Sequence, residues 1–147
     1  MNTVNLDIVT PNGSVYEKDD VELVVFQTTA GEIGIMSGHI PTVAALKIGH
    51  IKVKFKNGTE YIAVSGGFVE IRQHKVSVIV QTAETASEID VERAKLARQR
   101  AQSHLDEEDN SDINRAKRAL ARAENRLRVA ESVSYTHLRA HETPEHL

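Results

Sequence analysis

The sequence changes character abruptly near residue 86, and this change constrains the fold more than any other feature. All eight glycines and five of the six aromatic residues lie before that point. Residues 1–86 thus contain the turn-forming and strand-forming residues, whereas the sequence that follows is rich in helix-favouring Ala and Arg. We predict an N-terminal β-domain over residues 1–86 and a C-terminal helical domain over residues 87–132.

The first region has the pattern of many short strands. Apolar residues alternate with polar ones at Val4, Leu6 and Ile8, at Val21, Leu23 and Val25, at Ile51, Val53 and Phe55, and at Val76, Val78 and Val80. Asn57-Gly58 separates two such runs, and this dipeptide favours a type I′ hairpin turn. Because no helical period lies between the runs, we predict a β-sandwich of about ten short strands in two packed sheets.

The second region predicts two helices that form an antiparallel hairpin. Ser87-Glu88-Ile89-Asp90 fits a capping box at the start of the first helix. One side of each helix carries small apolar residues, at Ala94, Ala97, Ala101 and Leu105, and at Ile113, Ala116, Leu120, Ala123, Leu127 and Ala130. The short acidic and polar run 106–112 predicts a solvated link, which makes the helices antiparallel neighbours. Since Ala buries little area, the hairpin should be only marginally stable alone.

Residues 133–147 break this helical spacing. They contain three of the seven histidines and no sustained apolar period. We predict an irregular tail here, which is either a natural frayed end or, in the interpretation we favour, appended, non-native sequence, and we leave it out of the functional reasoning.

Composition and motifs argue against several function classes. The formal net charge of −3 disfavours a dedicated nucleic-acid binder, and the lack of Cys excludes Cys-based zinc sites and thiolate chemistry. Ser65-Gly66-Gly67 lacks the Gly-x-Ser-x-Gly pattern of a hydrolase, and no other catalytic or metal-binding constellation stands out. No run of about 18 apolar residues is present, so a membrane role would come through partners.

The second helix carries a basic stripe, which comprises Arg115, Arg118, Arg122 and Arg126. Residues 113–128 contain six basic groups and one acid, a net charge of +5. A solvated face is one interpretation, but such faces usually mix signs, whereas this one repels itself. The natural complement is an anion, either an acidic protein segment or a phosphate-bearing ligand. Arg93 and Arg100 lie seven residues apart on the first helix and could converge on the same polyphosphate.

Four stretches in order resemble the epsilon subunit of bacterial F-type ATP synthases, over about residues 3–131. They are Val9-Thr10-Pro11-Asn12-Gly13, Gly31-Glu32-Ile33-Gly34-Ile35 with Gly38-His39-Ile40-Pro41, Tyr61-Ile62-Ala63-Val64-Ser65-Gly66-Gly67-Phe68, and Ile89-Asp90-Val91-Glu92-Arg93-Ala94. The last resembles the family's nucleotide motif Ile-Asp-x-x-Arg-Ala. Ser37 stands where many relatives have Pro.

The resemblance implies a non-catalytic rotor subunit in the central stalk of a proton-translocating ATP synthase. The sandwich would bind the gamma subunit and the ring of c subunits, and the loop with Glu32 and His39 matches the region that meets the c ring. The helices would be a regulatory arm that inhibits ATP hydrolysis by contacting an acidic segment of the beta subunits through the basic stripe. The location implied is peripheral, at the cytoplasmic face of the bacterial cell membrane.

The resemblance also implies that ATP is a regulatory ligand of the helical arm, while no cofactor is required. By similarity, the base and ribose would be surrounded by Glu84, Ile89, Asp90 and Ala94. The phosphates would face Arg93, Arg100, Arg122 and Arg126. The competing interpretations are a free-standing adaptor or nucleic-acid-binding module that uses the basic arm, and a small hydrolase; the charge balance and the missing nucleophile–base arrangement disfavour them.

Overall fold

The computed structural model describes residues 3–106 and 113–142, and for residues 132–142 it describes the backbone only. The chain divides into two compact units, Met1–Thr85 and Ala86–Leu147. The second unit thus begins at Ala86, one residue before the predicted boundary. The predicted solvated link falls largely on residues 107–112, outside the described residues.

The described part of the first unit contains eight strands. They are β1 (Val4–Thr10), β2 (Gly13–Thr28), β3 (Gly31–Ile35), β4 (Thr42–Phe55), β5 (Gly58–Val64), β6 (Gly67–Ile71), β7 (Lys75–Val80) and β8 (Ala83–Thr85). Their hydrogen-bonding order is β3-β2-β1-β7-β6-β4-β5-β8, and β2 also pairs with β4. The pairing closes a ring through β2, β1, β7, β6 and β4, in which β1 and β7 are parallel and the other pairs antiparallel. This is the predicted β-sandwich.

The prediction of about ten short strands was wrong in number, because two strands run on through residues that resemble turns. Strand β2 has 16 residues and β4 has 14. Asp20 lies inside β2 with a φ of 58°, next to a register shift rather than in a turn. In β4, a Cβ atom on Gly49 would overlap the Gln27 side chain, whose Oε1 accepts a hydrogen bond from the His50 backbone N–H at 2.8 Å. This side chain supplies a partner where the backbone pairing is interrupted.

The inward-facing residues of the strands form one apolar core, which confirms the predicted alternation in β1 and β7. In β2 the predicted alternation was wrong after Val21, because a register shift between Val21 and Leu23 moves Val24 and Phe26 into the core and leaves Leu23 and Val25 half-buried. Phe26 is its largest fully buried side chain, and Leu6, Ile8, Ile51 and Val78 are also fully buried. The Asn57-Gly58 turn joins β4 to β5 as predicted, with Phe55 opposite Gly58. The strands therefore place the turns and loops at the ends of a rigid scaffold.

The second unit contains a 3₁₀ turn (Ala86–Glu88), helix α1 (Val91–Asp106) and helix α2 (Ile113–Glu142). We call α1 and α2 the helical hairpin. Both helices bury small residues where they pack together, and the 3₁₀ turn packs against α2. These buried residues are Ala94, Ala101, Ala116 and Ala123. Ala at the contact allows close approach of the helices, as the sequence predicted.

Helix α1 begins one turn later than the capping box predicted. Ser87 lies in the 3₁₀ turn, and the capping residue is Asp90. Its Oδ1 accepts a hydrogen bond from the Arg93 backbone N–H at 3.1 Å, and its carbonyl oxygen accepts one from Ala94 at 3.0 Å. Asp90 and Arg93 therefore stand at the N-cap and third helical positions, where a carboxylate satisfies an otherwise unpaired donor.

The prediction of an irregular tail from residue 133 was wrong for its first ten residues, because α2 continues to Glu142. This segment contains neither Gly nor Pro, so nothing in its composition interrupts helical hydrogen bonds.

Candidate functional site

A cleft of about 460 Å³ lies between the two helices, a volume typical of small-molecule sites. We call it the interhelical cleft. It is lined on α1 by Ala97, Arg100, Ala101 and His104, and on α2 by Arg115, Ala116, Ala119 and Arg122. Residues late in α1 and early in α2 share the cleft, as expected for antiparallel helices. The alanines of the lining are buried or half-buried, whereas Arg100, His104 and Arg115 are exposed.

The charged side chains that line the interhelical cleft are all positive. Arg100, Arg115 and Arg122 contribute guanidinium groups, and no Asp or Glu lines the cleft. Within residues 3–106 and 113–131, none of the three forms a salt bridge. Like charges held together in one concave surface raise the local positive potential, and guanidinium groups match the geometry of phosphate oxygens. The cleft is therefore suited to a multiply charged anion.

Two of the four arginines predicted to face phosphates, Arg100 and Arg122, line this cleft. The other two do not. Arg93 is exposed in the first turn of α1, about 10 Å along the helix axis from Arg100. Arg126 is half-buried one turn after Arg122 and has an interaction within the chain. The structure thus places one pair of arginines in the cleft and the other pair nearer the start of α1.

The residues predicted to surround a base and ribose are mostly at the start of the helical unit. Ile89 and Ala94 are buried, and Asp90 caps α1 with Oδ1. The second oxygen of Asp90 makes no hydrogen bond to any part of the chain that the structure describes, so the carboxylate can cap the helix and meet a ligand at once. Glu84 lies in β8 of the first unit, opposite Ala63, and is half-buried.

The basic stripe divides between two environments. Arg115 and Arg122 line the interhelical cleft, whereas Arg118 does not; Arg115 and Arg118 are both exposed, and Arg122 is half-buried. The prediction treated the four arginines of the stripe as one surface, but only two of them line the cleft. Arg118 is thus a natural control for the cleft residues.

His104 is a cleft residue that the sequence reasoning missed. It lies four residues after Arg100, which places both on the same face of α1. A single histidine on a helix gives no ligand pattern of its own, so only its spacing from Arg100 could have indicated it. The other missed features lie farther along α2, three and seven residues after Arg122, where Asn125 and Val129 are buried at 5% and 2% exposure.

The two residues matched to a c-ring contact lie at the β3 edge of the sandwich and in the loop after it. Glu32 is exposed on β3, opposite Gln27. His39 follows in the loop 36–41, and its Nδ1 lies 2.7 Å from the Ile40 carbonyl oxygen. The Gly38 N–H donates to the Gln73 carbonyl at 2.9 Å, which holds the loop against the turn between β6 and β7.

Ser37, the departure from the family's usual Pro, lies in that same loop. Its Oγ is 3.4 Å from Nδ1 of His74. A side-chain contact and the Gly38 hydrogen bond thus attach the loop to the sandwich where a proline would have restricted the backbone directly.

A polar cluster on the sandwich has no counterpart in the sequence predictions. Tyr16 donates a hydrogen bond to Glu60 Oε1 at 3.2 Å, and Lys18 contacts the same oxygen at 3.2 Å. The Lys18 ammonium also lies 3.7 Å from the centre of the Phe55 ring. Burial, followed by the Glu60 charge and hydrogen bond, raises the pKa of Tyr16 above its ordinary value. These side chains connect β2 to β4 and β5, so their role is structural.

Neither a metal site nor a membrane-spanning helix is found in the described residues. No three His, Asp or Glu side chains there are grouped so that they could hold a metal ion. None of the helices in that part of the chain is both long and apolar enough to cross a membrane.

Two family models match nearly the whole chain. Residues 3–86 match the beta-sandwich domain of the ATP synthase delta/epsilon chain, and residues 87–131 match the long alpha-helix domain of the same chain. The first match ends at residue 86, one residue after the end of the first structural unit at Thr85.

Curated relatives are similar over the same part of the sequence. An ATP synthase epsilon chain of Staphylococcus haemolyticus is 92% identical over 131 residues, which are 89% of this chain and 98% of the relative. An epsilon chain of Staphylococcus aureus strain JH9 is 78% identical over 132 residues, again 89% and 98%.

Solved structures share the fold at lower identity. A chain of the Euglena gracilis mitochondrial ATP synthase, in a structure of OSCP, F1 and c-ring, has a TM-score of 0.73 and 24% identity, with 84% of this chain and 78% of that chain covered. A chain of the Tetrahymena thermophila mitochondrial ATP synthase central stalk and c-ring has a TM-score of 0.51 and 16% identity, with 89% and 96% covered.

Proposed function

The chain belongs to the ATP synthase delta/epsilon family, as an epsilon subunit of an F-type ATP synthase, and we propose that it is a non-catalytic regulator of ATP hydrolysis within that complex. Its sandwich binds the gamma subunit and the c ring, and its helical hairpin carries the regulatory part. The Euglena and Tetrahymena structures, which contain F1, the c-ring and the central stalk, support these partners. Family membership favours this interpretation over a free-standing adaptor or nucleic-acid-binding module.

Location follows from membership of the complex. ATP synthase is membrane-associated, and this chain joins it as a peripheral subunit through its partners. We place the chain at the cytoplasmic face of the bacterial cell membrane, which agrees with its high similarity to staphylococcal epsilon chains.

The contact with the c ring is assigned to Glu32 and His39. Glu32 presents an exposed carboxylate on β3, and His39 follows in a loop that Gly38 attaches to the β6–β7 turn. A docking surface needs such a fixed loop, because ordering a loose one would cost binding free energy.

Inhibition is assigned to the helical hairpin and its basic stripe. Six basic groups and one acid in residues 113–128 give this part of α2 a net charge of +5. Such a helix complements an acidic segment, the kind of surface that the resemblance attributes to the beta subunits. Electrostatic attraction between the two would hold the arm on the catalytic part of the complex.

ATP is the regulatory ligand of the helical unit. The single observation that carries this proposal is the interhelical cleft, which is lined by Arg100 from one helix and Arg122 from the other, with no carboxylate in the lining. An anion that contacts both arginines holds the two helices together. Since a ligand shifts an equilibrium only by its differential affinity, ATP would favour the packed hairpin over any form in which the helices separate.

Isothermal titration calorimetry of the full chain with ATP tests this proposal. We expect binding by the unmodified chain, and about tenfold or greater weakening in Arg122→Gln, because each charge-assisted hydrogen bond contributes substantially to affinity. Arg118→Gln is the matched control, since it removes the same charge from an exposed position of α2 outside the cleft. No heat at millimolar ATP would reject the ATP-binding role and leave membership of the complex intact.

A further inference from the structure

Met36 is the only sulfur-containing residue of this chain apart from Met1. The sequence has two methionines and no cysteine. Met36 stands at the start of the loop 36–41, and its side chain is 60% exposed. Methionine sulfoxide is a common product of oxidants on an exposed thioether, and here no thiol is present to react first.

The loop that carries Met36 is fixed to the sandwich. The Gly38 N–H donates a hydrogen bond to the Gln73 carbonyl oxygen at 2.9 Å. Within the loop, the His39 N–H donates to the Met36 carbonyl oxygen at 3.3 Å, which closes a turn. Because these bonds hold the backbone, the exposed side chains of the loop are displayed in a defined place.

Two large apolar side chains are displayed in this way. Ile40 is 78% exposed, more than Met36, and His39 stands between them in the sequence. His39 is one of the two residues assigned to the c-ring contact. Apolar side chains on a fixed loop gain free energy when a partner removes them from water, and methionine is enriched at protein interfaces. We therefore expect Met36 to be covered when this loop docks.

We propose that Met36 is an oxidation site that controls attachment of the sandwich to the c ring. The inference rests on the proposed contact between this loop and the c ring, and adds a regulation to it. Oxidation acts on the free subunit, in which Met36 is exposed, and the oxidised subunit then docks less tightly. Assembly of new complexes falls while the oxidant is present.

Hydrogen peroxide is the oxidant of the proposed step. One peroxide oxygen is transferred to the Met36 sulfur, so that an S–O bond forms as the O–O bond breaks and water leaves. The sulfur loses two electrons, which the peroxide gains. The resulting sulfoxide replaces a flexible apolar group with a polar one, whose oxygen loses hydrogen bonds to water when the loop is covered. Methionine sulfoxide reductases reverse the step.

Peptide mapping by mass spectrometry tests the modification itself. The full chain and its Met36→Leu variant are treated with hydrogen peroxide. We expect the peptide that contains Met36 to gain one oxygen atom, and the matching peptide of Met36→Leu to gain none. Met1 lies on a different peptide after digestion and reports its own oxidation separately. A Met36 that stays unreacted under conditions that oxidise free methionine would overturn the proposal.

Docking is measured on two assemblies that lack their epsilon subunit, the complete ATP synthase with its c ring and the F1 sector with gamma but no c ring. We expect peroxide to weaken binding of the unmodified chain to the complete complex about tenfold, and to change binding to F1 less than about twofold. Sulfoxide reductase should restore the lost affinity. Circular dichroism checks that the treated chain remains folded.

Two variants serve as controls for the chemistry at this position. Met36→Leu has no sulfur, so peroxide should not change its own affinity for either assembly. Met36→Gln places a polar group on the loop, so without peroxide it should bind the complete complex as the oxidised chain does. An equal peroxide response in the unmodified chain and Met36→Leu would assign the effect to another residue and contradict the proposal.

The two assemblies also separate this inference from the contact on which it rests. If the unmodified chain binds the complete complex no more tightly than F1, the proposed c-ring contact fails and the inference fails with it. If the c ring strengthens binding but oxidation of Met36 leaves that gain unchanged, only the inference is rejected.

Discussion

Asp90 combines a structural contact with a predicted ligand contact in one carboxylate. Its Oδ1 accepts the Arg93 backbone N–H at the start of α1, while the resemblance assigns the same residue to the base and ribose of ATP. The two roles can be separated by substitution, because Asn caps a helix nearly as well as Asp but carries no charge.

We predict that Asp90→Ala lowers the free energy of unfolding of the helical unit by about 1 kcal/mol, since the N-cap hydrogen bond is lost. Asp90→Asn should keep most of this stability and still weaken ATP binding. Urea denaturation monitored by circular dichroism, together with calorimetry, measures both. Equal stability of the Ala and Asn variants would contradict the capping role.

Tyr16 gives the sandwich a specific response to alkaline pH. Burial, then Glu60, raises the pKa of its phenol above the ordinary value of about 10. Below that pH the phenol is protonated in both the folded and unfolded states and contributes no pH dependence. Above it the unfolded state loses the proton first, so stability falls as pH rises.

We therefore expect the unmodified chain to lose more stability between about pH 9 and about pH 11 than Tyr16→Phe does. Urea denaturation of both proteins at the two pH values gives the difference, in which contributions from other titrating groups cancel. Parallel pH dependence of the two proteins would show that Tyr16 titrates alike in both states.

At the scale of elements, the sandwich and the helical hairpin differ in how they are stabilised. The sandwich core contains large buried side chains such as Phe26, Leu6 and Ile51. In α1 the buried residues are Ala94 and Ala101. Because free energy from burial scales with apolar area, α1 is held to its neighbours much more weakly than the strands are held together.

Amide hydrogen exchange on the full chain should therefore be faster throughout Val91–Asp106 than in the core strands β1 and β7. ATP should slow exchange in both helices, since the proposed ligand contacts each of them. Protection of α1 as strong as that of the core strands, without ATP, would contradict the expected mobility.

Much of this fold could be predicted because local residue patterns decide it. Alternation at Val76, Val78 and Val80 predicts a strand, and Asn57-Gly58 predicts a turn, without knowledge of distant residues. The predicted number of strands was wrong where a tertiary contact lets a strand continue. The Gln27 side chain in β2 accepts a hydrogen bond from the His50 backbone N–H in β4. No local pattern indicates that a side chain 23 residues away will do so.

The candidate site was predictable to a similar extent. Helical spacing and family resemblance identified Arg100 and Arg122, which the structure places in one cleft. Neither spacing nor resemblance could show that Arg93 and Arg126 lie outside the lining of the cleft. That depends on how far the cleft extends along the two helices. His104 was missed because it belongs to no motif, and its role depends on α2 facing it.

At the scale of the whole molecule, the proposed ligand and the proposed protein partner use some of the same residues. Arg115 and Arg122 line the interhelical cleft and also belong to the basic stripe assigned to the beta subunits. One guanidinium group cannot fully bind a phosphate and an acidic segment at once. ATP in the cleft would thus compete with inhibition directly, besides stabilising the packed hairpin.

In the proposed function, the helical hairpin inhibits hydrolysis while the sandwich attaches the chain to the complex. The most direct test measures ATP hydrolysis by an F1 complex that lacks its epsilon subunit, after addition of either the full chain or residues 1–88. The shorter chain retains the entire sandwich core. We predict that both bind the complex and that only the full chain lowers the hydrolysis rate. Equal hydrolysis rates with the two bound forms would contradict the account.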